Sequence, residues 1–174
     1  MTADRISRNL TGLLLVGGLA AIATAWGFQL IGGYVPCKLC LEQRIPYYVG
    51  LPLALLALFL MQARRTGLAL ALLLVVATVF AYGSGLGIYQ SGAEWQFWDG
   101  PSDCGGGTST PTSAANMLQA LKSTRVVSCT EASWRMFGLS FAGWNAVASG
   151  GLALLALLAA FGLKRRGNTA SVGA

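Results

Sequence analysis

The sequence predicts an all-α membrane protein: a bundle of four transmembrane helices with a short outer loop carrying a Cys-x-x-Cys pair and a long second outer loop. Hydrophobic residues make up 55% of the 174 and charged residues only 10%, with a mean hydropathy of +0.60. That is too little charge for the wetted surface of a soluble domain. The apolar residues also gather into uncharged stretches, Leu10 to Val35, Ile45 to Ala63, Thr66 to Ala93 and Met136 to Leu163, each near or above the roughly 20 residues a helix needs to cross a bilayer. No alternating strand pattern runs through them, and backbone amides cannot stay unpaired in lipid, so helices are the economical solution. The chain is short for any further globular unit, which gives one membrane domain over residues 1–174.

The first span, residues 10–31, follows Arg5 and Arg8. With the pattern Ala23-Thr24-Ala25 these residues also have the form of a cleaved signal peptide, but the apolar run continues to Ile31 and a cut would strip the bundle of a helix; a retained span is expected. The second span, 45–63, ends at the tight link Arg64-Arg65, the third covers 67–89, and the fourth, 140–163, is followed by Lys164, Arg165 and Arg166. Cytoplasmic loops carry the excess of Lys and Arg, which places these basic residues and both termini in the cytoplasm and loops 32–44 and 90–139 outside. Lys38, Arg44, Lys122, Arg125 and Arg135 are spread over outer loops that also hold Glu42, Glu94, Asp99, Asp103 and Glu131. The net charge of +6 is then a topology signal; with no basic stripe or aromatic ladder, no nucleic-acid partner is predicted. Tyr34, Tyr47, Tyr48, Trp95, Trp98 and Trp144 fall near the outer ends as interfacial aromatics. Gly17 and Gly18, Gly83 and Gly87, and Ala146 and Gly150 mark close helix approach.

Cys37, Cys40, Cys104 and Cys129 all fall in the outer loops and none in a span, although an apolar core accommodates cysteine readily. There they can form static bonds or working redox couples. In Cys37-Lys38-Leu39-Cys40 the spacing lets the sulfurs approach, and Cys40 falls at the N-terminal turn of the second helix, where unpaired N–H groups, Lys38 and Arg44 favour a thiolate. Arg44, four residues on, shares the helical face of Cys40, with Pro46 in the first turns. Its two readings are a snorkelling side chain at the helix end and a hydrogen-bond donor to a ligand oxygen. A Cys-x-x-Cys alone also serves zinc sites, haem attachment and structural disulfides. Haem attachment in its usual form is excluded, because Leu41 follows the pair and the chain has no histidine. A zinc or iron-sulfur site would need Cys104 and Cys129 to close around one ion without a second Cys-x-x-Cys, so no metal is predicted and a structural disulfide framework is the stronger rival.

In the second loop, the run Glu94 to Pro101 leads into Cys104, and Gly105 to Pro111 is a flexible Gly, Ser and Thr stretch. Pro111 and Thr112 offer a helix start, and Ala114, Met117, Leu118 and Leu121 recur at helical spacing, as loop packing or as a surface anchor. A flexible, exposed Cys104 suits exchange with a partner protein better than a buried staple.

In these features the chain resembles the DsbB family of disulfide bond formation proteins: Cys37-x-x-Cys40-x-x-x-Arg44 opens the second span, and Cys104 and Cys129 lie between the third and fourth. The resemblance covers nearly the whole chain, and the run from Cys129 to Leu139 looks like the family's approach to the last helix. It implies a thiol oxidase of the bacterial inner membrane, with periplasmic cysteine loops, that reoxidises a periplasmic DsbA-like partner of thioredoxin fold. It further implies that Cys104 of a Cys104-Cys129 disulfide accepts attack from the reduced partner, with Cys129 leaving and then attacking Cys37. By the same resemblance Cys40 becomes the thiolate facing a quinone, ubiquinone or menaquinone, Arg44 donates to a quinone oxygen, and reduced quinone returns to the membrane pool. Gln43 stands where some relatives carry an acid, with Glu42 one place earlier, and no histidine exists to relay protons.

A specialised sibling oxidase with one dedicated partner would share this pattern. The vitamin K epoxide reductase family is similar in logic, but there the Cys-x-x-Cys follows the loop cysteines, whereas here it comes first. A non-enzymatic membrane subunit with two structural disulfides predicts inert bonds and no bound quinone.

Overall fold

The structure, a computed structural model, describes residues 2–100, 132 and 134–172; Cys104, Cys129, the Gly, Ser and Thr stretch and the helix expected from Pro111 lie outside the described residues. Among the described residues, four helical segments are long and apolar enough to cross a membrane, where the charge-free runs predict them. α1 (Thr2–Leu30) takes in the basic residues ahead of the first run. A Gln43-Arg44 step separates the short α2 (Lys38–Glu42) from α3 (Ile45–Gln62). Pro46 has no N–H to continue the ladder, and it sits in the first turn of α3, where none is needed. α4 (Thr66–Glu94) follows the Arg64-Arg65 link, and α5 (Phe141–Val172) closes the bundle.

Two elements depart from the apolar pattern. α4 continues past residue 89 to Glu94, so residues read as the start of a loop are helical. Ahead of α5 the chain forms a hairpin, β1 (Arg135–Met136) antiparallel to β2 (Leu139–Ser140), through Phe137 at φ 52° and Gly138 at φ 83°. Positive φ at both central residues is what a tight type I′ turn requires. Ser140 then caps α5, its Oγ accepting the Gly143 N–H at 3.2 Å.

α4 packs most extensively along α5; α1 leans on α5 and, less, on α3, while α3 lies against α4. Leu14, Tyr47, Val76, Phe80 and Ala156 belong to one buried cluster, and Met61, Leu73, Ala159 and Leu163 to a second nearer the Arg64-Arg65 link. Leu13, Val16, Leu19, Phe59, Leu74 and Phe161 face outward. An exterior this apolar is stable against hydrocarbon, and the chain is a multi-pass membrane protein.

The α4–α5 contact is backbone on backbone: a Cβ at Gly87 would stand 2.8 Å from both the Ala142 carbonyl oxygen and the Ala146 nitrogen. Nearby, Ser84 Oγ donates to the Ala146 carbonyl at 2.9 Å. Gly87→Val is therefore expected to push the helices apart at a cost of about 1–3 kcal/mol, read as a lowered thermal midpoint in detergent. A midpoint equal to the unsubstituted protein would refute the tight crossing.

Candidate functional site

The chain leaving α1 turns at Gly33 (φ 68°) and enters α2 through Cys37. Cys37 is the N-cap: its backbone is extended (φ −74°, ψ 170°) and its sulfur accepts the Cys40 N–H at 3.2 Å, the task an Asp, Asn or Ser oxygen performs in most helices. Capping thus holds the two sulfurs together. No disulfide joins the two in this structure, in which Cys37 is buried and Cys40 half-buried. Gln90 of α4 points its Nε2 at the pair, 3.5 Å from Cys37 Sγ and 3.6 Å from Cys40 Sγ. The hydrogen bond between Cys37 and the Cys40 sulfur, reinforced by burial, holds the Cys37 proton well above the ordinary thiol range. A single negative charge on the pair therefore belongs on Cys40, which receives the Cys37 S–H and a Gln90 N–H.

Arg44 occupies the step between α2 and α3 and is docked against α1. Its Nη1 donates to Gln29 Oε1 at 2.6 Å, its Nη2 to the Ala25 carbonyl at 3.5 Å, and its guanidinium lies 5.3 Å from the Trp26 ring centroid. Trp26 is itself tied to α3, its Nε1 donating to Tyr48 Oη at 3.0 Å. A side chain held on three sides is not snorkelling into solvent, and a guanidinium has five N–H donors, more than these bonds consume.

Cys37, Cys40 and Arg44 all line one cavity of about 580 Å³. Its floor is α1, with Ala21, Ile22 and Ala25, and its far wall is aromatic. Phe141 lies 4.9 Å from Phe28 and stacks on Trp134 at 5.0 Å, with Tyr34 edge-on at 5.6 Å. The remaining wall is a buried polar chain: Gln43 Nε2 donates to Gln90 Oε1 at 2.6 Å, Asn145 Nδ2 to Gln43 Oε1 at 2.7 Å, and Tyr47 Oη to Asn145 Oδ1 at 2.9 Å. Tyr47 Oη and Ser149 Oγ, 3.0 Å apart, end it. Glu94 lines the same cavity, its Oε1 accepting from Gln90 Nε2 at 3.4 Å. A predominantly apolar slot with a few convergent donors is the form small-molecule sites take.

Of the residues singled out from sequence, the structure therefore joins Cys37, Cys40 and Arg44, and Cys104 and Cys129 lie outside the described residues. Gln90, Glu94, Tyr47 and Asn145 were not singled out as site residues. For Asn145 the signal was present, since an amide inside an otherwise apolar span is costly against lipid and so must face inward; Gln90 falls just past the predicted end of the third span at residue 89.

The family model for the disulfide bond formation protein DsbB matches residues 7–159. The disulfide bond formation protein B of Marinobacter nauticus is 32% identical over 173 residues, covering 92% of this chain and 94% of the relative. That of Xanthomonas axonopodis pv. citri is 34% identical over 166 residues, covering 90% of each, and that of Xylella fastidiosa strain 9a5c is 31% identical over 160 residues, again 90% of each. No solved structure matches. A family match over most of the length, four membrane helices and a Cys-x-x-Cys pair in an apolar cavity agree, and the chain belongs to the DsbB family of disulfide bond formation proteins.

Proposed function

We propose that the chain is a thiol oxidase of the bacterial inner membrane that reoxidises a periplasmic DsbA-like dithiol protein and passes two electrons through Cys104 and Cys129, then Cys37 and Cys40, to ubiquinone or menaquinone. The observation that carries this reading is the shared cavity, in which a thiol pair and a tethered arginine face an apolar slot at the end of a membrane bundle. The basic residues Arg64, Arg65 and Lys164 at the opposite end support a periplasmic setting for the cysteines. The residues fit a quinone: the aromatic and aliphatic walls suit a flat ring with a prenyl tail, and Arg44 offers a donor for a ring oxygen. When bound, a quinone supplies a two-electron, two-proton acceptor.

The chain's own residues account for the rest. In the Cys37-Cys40 disulfide, Cys37 is the sulfur for Cys129 to attack, because the bond then breaks to release Cys40, the better leaving group, which Gln90 is placed to stabilise as a thiolate. Gln29 and Trp26 fix the guanidinium of Arg44 so that it faces the cavity without reorganising. Quinone absorbance followed over time, with purified protein in detergent and reduced DsbA-like protein as donor, tests the proposal. Donor-dependent quinone loss is expected; none, with quinone shown to bind, would leave a static disulfide framework. Arg44→Ala should raise the KM for quinone about 10-fold or more, the scale of a lost charge-assisted hydrogen bond, and an unchanged KM would remove Arg44 from the quinone site.

A further inference from the structure

Glu94 has no place in the electron path, yet only 9% of it is exposed and it lines the cavity that holds the cysteine pair. Its Oε1 shares the Gln90 nitrogen that reaches both sulfurs, and its Oε2 is buried without a hydrogen-bond partner among the described residues. An unpartnered buried carboxylate oxygen is costly and calls for a reason. The groups facing Glu94 are Cys37 and Cys40 across Gln90, Ser140 at the start of α5, and Arg135 of β1, whose Nη2 donates to the Glu94 backbone carbonyl at 3.5 Å; Arg44 lines the same cavity. The chemistry here needs a proton acceptor. Whenever the Cys37-Cys40 bond re-forms, Cys37 must surrender its S–H proton, and the chain contains no histidine to take it.

We propose that Glu94 is the base that receives the Cys37 proton as the Cys37-Cys40 disulfide closes, and that it passes this proton on into the cavity. Closure converts one thiol and one thiolate into a disulfide: the Cys37 S–H bond breaks, the S–S bond forms, one proton goes to the Glu94 carboxylate and two electrons go to the acceptor. In the proposed oxidase that acceptor is a quinone. With a small disulfide instead, Cys40 displaces one thiolate to form a mixed disulfide, and Cys37 then displaces the second while losing its proton to Glu94. The shared Gln90 neighbour places carboxylate and sulfur within reach of a side-chain rotation or one bridging water. The inference rests on the oxidase reading only for the identity of the acceptor.

The test uses full-length reduced protein in detergent with Cys104→Ser and Cys129→Ser, so that the first pair alone reports, closed by excess small-molecule disulfide across a range of pH. Glu94→Gln should slow closure about 100-fold near neutrality, leave a rate that climbs only with hydroxide, and regain speed on addition of formate or acetate. Glu94→Asp should keep the carboxylate limb of the profile, and iodoacetamide should alkylate Cys40 in the Gln variant no more slowly than in the parent, since removing the Glu94 charge favours the Cys40 thiolate. A Gln variant with the parent's rate and pH profile overturns the proposal. So does slow closure with an unchanged profile and no carboxylate rescue, which is the mark of a merely structural role. Because no quinone enters this assay, failure of quinone reduction in the parent would sink the oxidase reading and leave this result standing.

Discussion

Cys40→Ser is expected to bring donor-driven quinone loss to background, a fall of about 10³-fold or more, on the scale seen when a reacting nucleophile is removed. Serine fits the first turn of α2 and still accepts from Gln90, so the fold has little reason to change. What disappears is the sulfur able to carry the pair's negative charge and to bond to the Cys37 sulfur. The mixed disulfide between Cys104 and the partner should still form, because in the proposed sequence that exchange precedes any use of the first pair. Quinone loss at the parent rate in this variant would show that electrons bypass Cys40.

Cys104→Ser should abolish transfer from the protein donor just as completely, and for the opposite reason: the first pair stays competent but unreachable by a folded partner. Cys37 is only 5% exposed, so a thioredoxin-fold protein needs an accessible cysteine elsewhere as its entry point, whereas a small dithiol can enter the cavity. Dithiothreitol is therefore expected to support quinone loss in Cys104→Ser while the reduced protein donor does not. Equal loss of both activities would point to a collapsed protein, and retention of both would place the entry point at another sulfur.

The four helices were legible because hydrocarbon tolerates so few charges that the intervals between charged residues trace the spans. The pair Cys37 and Cys40, with Arg44, was legible because sulfur chemistry needs neighbours at short spacing along one chain. The polar wall was less so. Gln90, Asn145 and Tyr47 come from three helices, and no local pattern says that their side chains meet; only the packing of α3, α4 and α5 brings them together. Glu94 was read as a loop charge because the apolar scan stops where polarity begins, while α4 goes on for as long as its inward face can be satisfied. The hairpin at 135–140 escaped for a related reason: two residues per strand leave no periodicity, and a positive φ at Phe137 is not written in its side chain.

The Gly87 crossing makes the two sides of the cavity mechanically unequal. α4 and α5, in backbone contact, form a fixed jaw that carries Gln90, Glu94 and Asn145, whereas α1 meets the bundle through side-chain tips: a Cβ at Gly18 would meet Leu51 Cδ2 and one at Gly17 would meet Leu152 Cδ2. Such tips can change rotamer, and a backbone cannot. Room for a guest of greater girth is therefore to be sought on the α1 side, at the level of the Gly17 and Gly18 contacts, while the thiol pair keeps its alignment with the side in backbone contact.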